Sequence, residues 1–307
     1  MDRGSSAMRT PTLSGVSEML MWNLYQRAWE ARRRRPVLHD PKATELVDML
    51  DYPFEAHFGR PIGLVAQGHA LRVLTFDIAV REFLTAHPDG TVVQLAEGLE
   101  TQFWRCDNGR AQWLGVELPE TAELRRSLLP DGDRRRTLAC SALDLSWCDE
   151  VDSSRGVLIT AQGLLMYLHP GQVSELIARC AEAFPGSSLV FDTVPRWFSA
   201  RTLTGTMRTR RGFPVPPMPW GVNRSELPHL HTAHPAITSV RQIRPPAGRG
   251  LYHGKAAPLL AHLGIRNALV LVTAEAQFAH SSQKTAGICT PPLSELAHVG
   301  AGEFHHA

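Results

Sequence analysis

The sequence lacks the features that would place it in a membrane or on a nucleic acid. It has no apolar run of the roughly 18 residues that a membrane-spanning helix needs, and its first 15 residues lack the apolar core of a signal peptide. The formal net charge is only +2, from 32 basic and 30 acidic side chains, so there is no basic excess of the kind that nucleic-acid binding requires. We therefore expect neither a membrane nor a nucleic-acid partner.

Cysteine is scarce and follows no pattern. The five cysteines are odd in number, widely spaced and free of CxxC pairs, which argues against a disulfide framework and against a zinc site. His229, His231 and His234 lie close together, but no run of cysteines or acids accompanies them, so we expect no metal. A cytoplasmic location fits this cysteine usage best.

Strand and helix patterns alternate between residues 91 and 193. Apolar strands are predicted at residues 91–95, 113–116, 137–140, 156–160 and 187–191. Helices are predicted between them, at residues 118–129 and 170–184. This alternation predicts an α/β fold, with a parallel sheet that is covered by helices on both faces.

The segments on either side complete one predicted domain. Helical patterns precede the sheet at residues 16–35, 41–50 and 64–86, and the second has Asp40 as its N-cap followed by Pro41. The irregular, proline-rich stretch 196–234 is typical of a lid. A strand at 237–243, a helix at 256–263 and a last strand at 267–274 follow.

We therefore expect a single domain over residues 16–279. It consists of a helical cap (16–90), a core (91–193), a lid (194–236) and the final strands (237–279). Residues 1–15 are predicted to be disordered and residues 280–307 to form a flexible tail.

The strongest functional signal lies between Thr91 and Glu120. The first strand of the core leads into the small-residue turn Ala96-Glu97-Gly98, and the next strand ends on Glu117, 19 residues after Gly98. In a doubly wound sheet, the first turn lets a ligand approach the backbone, and an acid at the tip of the next strand can accept both ribose hydroxyls. The spacing predicts a nucleoside site.

Four sequence blocks carry a family resemblance: LYQRAWEARRRRPVLHDPKA (24–43), ALRVLTFDIAVREFL (70–84), residues 92–120, and AQGLLMYLHP (161–170). Through them the chain resembles the leucine carboxyl methyltransferase family, in particular its bacterial branch of polyketide carboxyl O-methyltransferases. The resemblance implies the Rossmann-like S-adenosylmethionine (SAM) methyltransferase fold, with a seven-stranded, mostly parallel sheet and an antiparallel final hairpin. It also implies SAM as cofactor and a small-molecule carboxylate as methyl acceptor in specialised metabolism.

The resemblance assigns cofactor roles to individual residues. Arg72 corresponds to the arginine that binds the methionine carboxylate, and Gln162 to a glutamate that faces the methionine amino group. The remaining positions are the turn under the methionyl and ribose groups (Ala96, Glu97, Gly98), the ribose acid and its neighbour (Glu117, Leu118), and the pair at the adenine edge (Asp144, Leu145).

The predicted pocket departs from the family pattern in its first turn. Where the family has Gly, a small residue, Gly, Leu or Met, Asp and Thr, this chain has the residues 96–101 (AEGLET). Ala96 is small enough, provided that the turn does not need a positive φ there. Glu97 places a carboxylate beside a buried ligand, while the family glutamate has become the neutral Gln162.

Two hypotheses account for these departures. In the first, Glu97 takes over the contact with the methionine ammonium, and SAM binding is intact. In the second, the pocket has drifted, and the protein is a non-methylating homologue that performs elimination or cyclisation chemistry or serves as the partner subunit of a biosynthetic enzyme.

A carboxylate acceptor would need little further catalytic machinery. It is ionised at neutral pH, so proximity and orientation could supply most of the acceleration without a general base. The candidate substrate contacts are Tyr25, Tyr167, Arg196 and Trp220, the last of which belongs with Gly221 to an aromatic-glycine pair of the family's lid. Structural tyrosines and a surface arginine are equally good interpretations, and a homo-oligomer or a biosynthetic partner protein is left open.

Overall fold

The computed structural model describes residues 18–208, 212, 214–250 and 272–280. Within them, seven strands form one sheet in the order β3-β2-β1-β4-β5-β7-β6. The strands are β1 (Thr91–Leu95), β2 (Gln112–Glu117), β3 (Arg135–Ala139), β4 (Val157–Ala161), β5 (Ser188–Thr193), β6 (Ile237–Ile243) and β7 (Val272–Phe278). Strands β1 to β5 are parallel, whereas β7 runs antiparallel to both β5 and β6.

Helices cover this sheet and build a cap beside it. They are α1 (Glu18–Ala31), α2 (Pro41–Met49), α3 (Phe54–Phe58), α4 (Gly63–Ala86), α5 (Gln102–Cys106), α6 (Pro119–Leu128), α7 (Pro170–Ala183) and α8 (Arg196–Leu203). Short 3₁₀ segments lie at Leu145–Glu150, Leu165–Tyr167 and Leu227–Ala233. None of the helices in the described ranges is long and apolar enough to cross a membrane.

The central strands are buried along their whole length because helices pack on both faces of the sheet. Every residue of β1 and β4 is buried, which explains why these strands read as continuous apolar runs in the sequence. The strand order reverses between β1 and β4, and this is where open α/β sheets bind their ligands.

The cap helices pack through a second apolar cluster. Met21, Leu24 and Leu46 are fully buried there, and burial of each such side chain contributes roughly 1.5–3 kcal/mol. The Asp40 side chain caps α2 by accepting from the backbone N–H of Ala43 at 3.1 Å, as its place before Pro41 predicts. This cluster also contains Leu99, so the cap rests directly on the loop that follows β1.

The predicted α/β fold, parallel core and antiparallel final hairpin are confirmed, but several elements differ. Helices α3 and α5 were not predicted because each has only five residues, too few for a helical period. Helix α8 begins inside the stretch that we expected to be irregular. The last strand, predicted at 267–274, continues to Phe278, since its described residues Val272–Phe278 pair with β5 and β6; residues 267–271 lie outside the described ranges. The predicted helix at 256–263 and the terminal segments 1–15 and 281–307 lie outside the described residues.

Candidate functional site

A cavity of about 540 Å³ opens at the carboxyl ends of β1, β2 and β4, at the position where the strand order reverses. Its floor is the loop after β1, and its walls come from α1, α4 and the lid. Most of the predicted cofactor residues line it, together with Tyr167: Arg72, Ala96, Glu97, Gly98, Glu117, Leu118 and Gln162. The topology therefore brings distant parts of the chain together at the site that the spacing indicated.

Arg72 reaches the cavity from α4 and is anchored through one edge of its guanidinium group. Its Nε lies 2.7 Å from Oδ2 of Asp192, a fully buried residue of β5. The other carboxylate oxygen of Asp192 accepts from the backbone N–H of Gly163 at 2.6 Å. Burial raises the pKa of Asp192, and the charge of Arg72 opposes this rise. In the described part of the chain, no group hydrogen-bonds to the terminal nitrogens of Arg72, which leaves them available for a carboxylate ligand.

The turn after β1 uses a left-handed backbone at Ala96, with φ of 52°, so the condition that the turn has no positive φ there is not met. This conformation is less stable by roughly 1–2 kcal/mol for a residue that has a Cβ. The neighbouring contacts hold it in place: the Ala96 N–H donates to the Val116 carbonyl at 2.9 Å, and the Gly98 N–H donates to the Glu117 carboxylate.

Glu97 is held by an ion pair within the protein. Its carboxylate lies 2.6 Å from the guanidinium of the fully buried Arg125 in α6, and only 3% of its side chain is exposed. It occupies the space above Gly115, where a Cβ would lie 1.8 Å from Oε1. Burial raises the pKa of Glu97, whereas the charge of Arg125 lowers it. Although Glu97 borders the cavity, its carboxylate is already paired, and this geometry does not support an ammonium contact.

Arg125 also holds the loop itself. One of its terminal nitrogens donates to the carbonyls of Gly98, at 2.7 Å, and Glu100, at 2.9 Å. Arg27 donates to the carbonyl between them, that of Leu99, at 2.7 Å. Two buried arginines from α1 and α6 therefore fix three successive carbonyls of the cavity floor, which explains how the strained turn keeps its shape.

Glu117 lies at the tip of β2, where the spacing predicted a ribose acid. Burial raises its pKa to about 7, while the backbone N–H groups of Gly98 and Leu118 and the charge of Arg125 act in the opposite direction. Leu118 is 53% exposed beside it at the rim of the cavity. This arrangement offers a carboxylate and an apolar surface to a nucleoside.

Gln162 is hydrogen-bonded to an acid that the sequence interpretation did not assign to the site. Its Nε2 donates to Oε2 of Glu100 at 3.0 Å, and both residues line the cavity. Glu100 is nearly buried between two arginines: Arg27 lies 3.1 Å away and Arg105 lies 2.7 Å away. Burial alone would raise the pKa of Glu100, but these two charges hold it at about 2. The carboxylate of Glu100 is therefore ionised at neutral pH.

Glu100 belongs to a buried ionic cluster under the cavity floor. Arg105 contacts Asp40 at 2.8 Å and Asp77 at 2.7 Å, and Arg27 contacts Asp40 at 3.3 Å. Arg81, which is half exposed, approaches Asp77 only to 3.8 Å. Three acids thus share two buried arginines, which leaves negative charge next to Gln162.

The two residues predicted for the adenine edge lie just outside the cavity lining. Asp144 and Leu145 do not line the cavity, whereas Ser141, Ala142 and Leu143 do. The Asp144 side chain accepts from the Ser146 N–H at 3.2 Å and so caps the 3₁₀ segment that follows. The backbone turns away from the cavity at this cap, and only the residues before it face inwards.

Three of the four candidate substrate residues lie elsewhere. Tyr25 is buried in the cap and stacked on Phe54, with ring centroids 5.2 Å apart. Trp220 is buried in the core beside Phe191. Arg196 is paired with Glu226 at 2.8 Å. Only Tyr167 lines the cavity, and burial raises its pKa to about 12.

Several lining residues escaped the sequence interpretation. His69 lies one helical turn before Arg72, with its ring 4.6 Å from that of Trp22. Burial lowers the pKa of His69 to about 3, and the charges of Arg72 and Arg27 act in the same direction. The lid adds Phe198, Met218 and Arg224. The apolar positions among these have the same pattern as ordinary core residues, so periodicity cannot distinguish them. Among the described residues, no group of three or more His, Cys, Asp or Glu could hold a metal ion.

The fold and the cavity together define a protein of the SAM methyltransferase class. Residues 21–181, more than half of the chain, match the leucine carboxyl methyltransferase family. The chain belongs to this family, which confirms the resemblance carried by the four sequence blocks. It is accordingly an enzyme, a SAM-dependent O-methyltransferase.

Individual relatives agree with this assignment. The chain is 34% identical over 194 residues to the tetracenomycin polyketide synthesis O-methyltransferase TcmP of Streptomyces glaucescens, with 61% of this chain and 69% of that protein covered. It is 27% identical over 195 residues to the SAM-dependent methyltransferase dpfgK of Gibberella zeae, with 58% of this chain and 64% of that protein covered. A crystal structure of a candidate methyltransferase from Thermobifida fusca shares the fold, with a TM-score of 0.51 at 16% identity over 84% of this chain and 94% of that chain.

Proposed function

We propose that the protein binds SAM in this cavity and transfers its methyl group to a carboxylate of a small molecule in bacterial specialised metabolism. One observation carries the proposal: the terminal nitrogens of Arg72 and the carboxylate of Glu117 converge on one cavity at the reversal of strand order. The similarity to an enzyme named for polyketide synthesis supports the assignment to specialised metabolism.

The lining residues fit SAM part by part. Arg72 would hold the methionine carboxylate through its planar, permanently charged fork. Glu117 would accept from the ribose hydroxyls, and Leu118 with residues 141–143 would border the adenine. When bound, SAM supplies an electrophilic methyl group on a sulfonium.

The ammonium of the cofactor needs a negative charge nearby, and Glu100 is the acid placed to supply it. The Oε1 of Gln162 has no hydrogen-bond partner in the described ranges and can accept from the ammonium, while Nε2 of the same amide donates to Glu100. The amide therefore connects the ligand to an ionised carboxylate. We propose that Glu100, and not Glu97, replaces the charge of the family glutamate.

The titratable groups of the cavity favour an acceptor that is already ionised. His69 has a pKa of about 3 and is a weak base, and Tyr167 has a pKa of about 12. Glu97 and Glu100 are paired with arginines, and Glu117, with a pKa of about 7, would be engaged by the ribose hydroxyls. A hydroxyl acceptor would need a base to take its proton, whereas a carboxylate needs only to be positioned for in-line attack.

Two measurements test this proposal. Calorimetric titration with S-adenosylhomocysteine (SAH) should show binding to the purified protein. Incubation with methyl-tritiated SAM and a panel of polycyclic aromatic acids should then give a product that releases volatile labelled methanol in alkali, because esters hydrolyse there and methyl ethers do not. Label that is stable in alkali would indicate a hydroxyl acceptor. Binding of SAH without transfer of the methyl group would indicate the non-methylating alternative.

A cytoplasmic location is also part of this proposal. It is supported by the four described cysteines, Cys106, Cys140, Cys148 and Cys180, which are free thiols. A homo-oligomer or a biosynthetic partner protein stays a prediction.

A further inference from the structure

Four of the six charged side chains that line the cavity are in ion pairs within the described part of the protein. Arg72 is paired with Asp192, Arg27 with Glu100, and Glu97 with Arg125. Arg224, an exposed residue of the lid, also lines the cavity, and it is in no ion pair in the part of the chain that the structure describes. Its guanidinium group is therefore available to an anionic ligand in the cavity.

The turn that carries Arg224 is held by its neighbours. The Glu226 carboxylate accepts from Nε of Arg196 at 2.8 Å and from the N–H of Asn223 at 2.8 Å. The N–H of Val222 donates to the Val194 carbonyl at 2.8 Å, which ties this segment to the end of β5. Arg196, which we expected to contact the substrate, instead stabilises the turn that contains Arg224 through its ion pair with Glu226.

The lid also gives the cavity an apolar surface. Phe198, Val215 and Met218 line it from the lid, and Met166 lines it from the segment after β4. A ligand that fills this part of the cavity must have an apolar body, and Arg224 would bind an acidic group on it through charge-assisted hydrogen bonds.

We infer that Arg224 forms an anion subsite for an acidic, otherwise apolar substrate, and that the pair of Arg196 and Glu226 positions it. This inference rests on the proposed function, since it names the residue that selects the substrate of the same site. It also predicts the order of affinities: a methyl ester product, which has lost its charge, should bind more weakly than the acid.

The test uses SAH-loaded protein and two fluorescent probes of similar shape, 9-anthracenecarboxylic acid and 9-anthracenemethanol. The wild type should bind the acid about five to ten times more tightly than the alcohol, and Arg224→Gln should remove this preference without changing the affinity for the alcohol. Arg201→Gln is the matched control, because Arg201 is an exposed arginine of the same lid that does not line the cavity. Glu226→Gln should reduce the preference partly, since Arg224 is still present but its turn is less well held.

The inference is overturned if the wild type does not prefer the acid, if Arg224→Gln keeps the preference, or if Arg201→Gln loses it to the same extent. These three outcomes differ from a failure of the proposed function. If the proposed function is wrong, the calorimetric titration would show no SAH binding, before any fluorescent probe is used.

Discussion

Gln162 donates a hydrogen bond of 3.0 Å to Glu100, an ionised acid that lies between Arg27 and Arg105. The neutral amide that follows β4 therefore connects the cavity to an ionised carboxylate beneath the cavity floor. This relationship accounts for two departures from the family pattern together, the longer acid at position 100 and the amide at position 162.

Restoring the family acid at position 162 should therefore weaken cofactor binding. In Gln162→Glu, two carboxylates would lie within hydrogen-bonding distance of each other, and their repulsion should raise the Kd for SAH by about tenfold. Calorimetric titration at neutral pH measures this change. Gln162→Met is the control for loss of the amide without added charge. Tighter binding by Gln162→Glu than by the wild type would show that Glu100 does not supply the charge.

Cofactor binding should strengthen with rising pH because of Glu117. Its pKa is raised to about 7 from 4.5, and the ionised form is the better acceptor for two ribose hydroxyls. The ionised fraction, and with it the apparent affinity for SAH, should rise about tenfold between pH 6 and pH 8. Glu117→Gln should bind more weakly and largely lose this dependence, and an unchanged pH profile in that variant would contradict the role.

The raised pKa of Glu117 makes the ligand-free protein less stable as the pH rises, which is opposite to its effect on cofactor affinity. The folded-state pKa of Glu117 lies above 4.5, so protonation of Glu117 favours the folded protein. This stabilisation is fully present below pH 4.5 and is lost as the pH rises through about 7. Denaturant titrations of wild type and Glu117→Gln should therefore differ in their pH dependence within this window. Saturating SAH should reduce that difference, since the ligand stabilises the ionised form.

Ala96→Gly should be neutral or stabilising, against the usual effect of this substitution. Ala96 has φ of 52°, so removal of its Cβ relieves roughly 1–2 kcal/mol of strain, partly offset by the greater freedom of glycine in the unfolded chain. Ala178→Gly, in the interior of α7, should instead cost about 1 kcal/mol. Chemical denaturation compares the two, and equal losses of stability would show that Ala96 is not strained.

The main parts of the fold were predictable because they depend on local patterns. Strand β1 is buried on both faces and therefore reads as an apolar run, and Asp40 with Pro41 marks the start of α2. The site was predictable only where a motif follows a strand, as at Glu117. The direction of the Glu97 side chain and the link between Gln162 and Glu100 depend on residues from distant segments, and no local pattern encodes them.

Gly115 and Glu97 should be coupled, because the first leaves the space that the second fills. A Cβ at Gly115 would lie 1.8 Å from Oε1 and 2.8 Å from Cδ of Glu97, in a place where the carboxylate is paired with Arg125 and cannot move into water. Gly115→Ala should therefore destabilise the protein by about 1–3 kcal/mol, as overpacking does. It should also weaken SAH binding, since displacement of Glu97 disturbs the turn at Ala96 and Gly98.

A double-mutant cycle separates this clash from a general cost of changing β2. Glu97→Ala should itself destabilise by about 3–5 kcal/mol, because it leaves the buried Arg125 without its partner. In the Glu97→Ala background, however, Gly115→Ala should cost little, because the methyl group then enters vacated space. Denaturant unfolding of the four proteins gives the coupling energy, which should be about 1–3 kcal/mol. Additive effects would mean that Glu97 does not occupy the space above Gly115, and the carboxylate would again be a candidate for the cofactor ammonium.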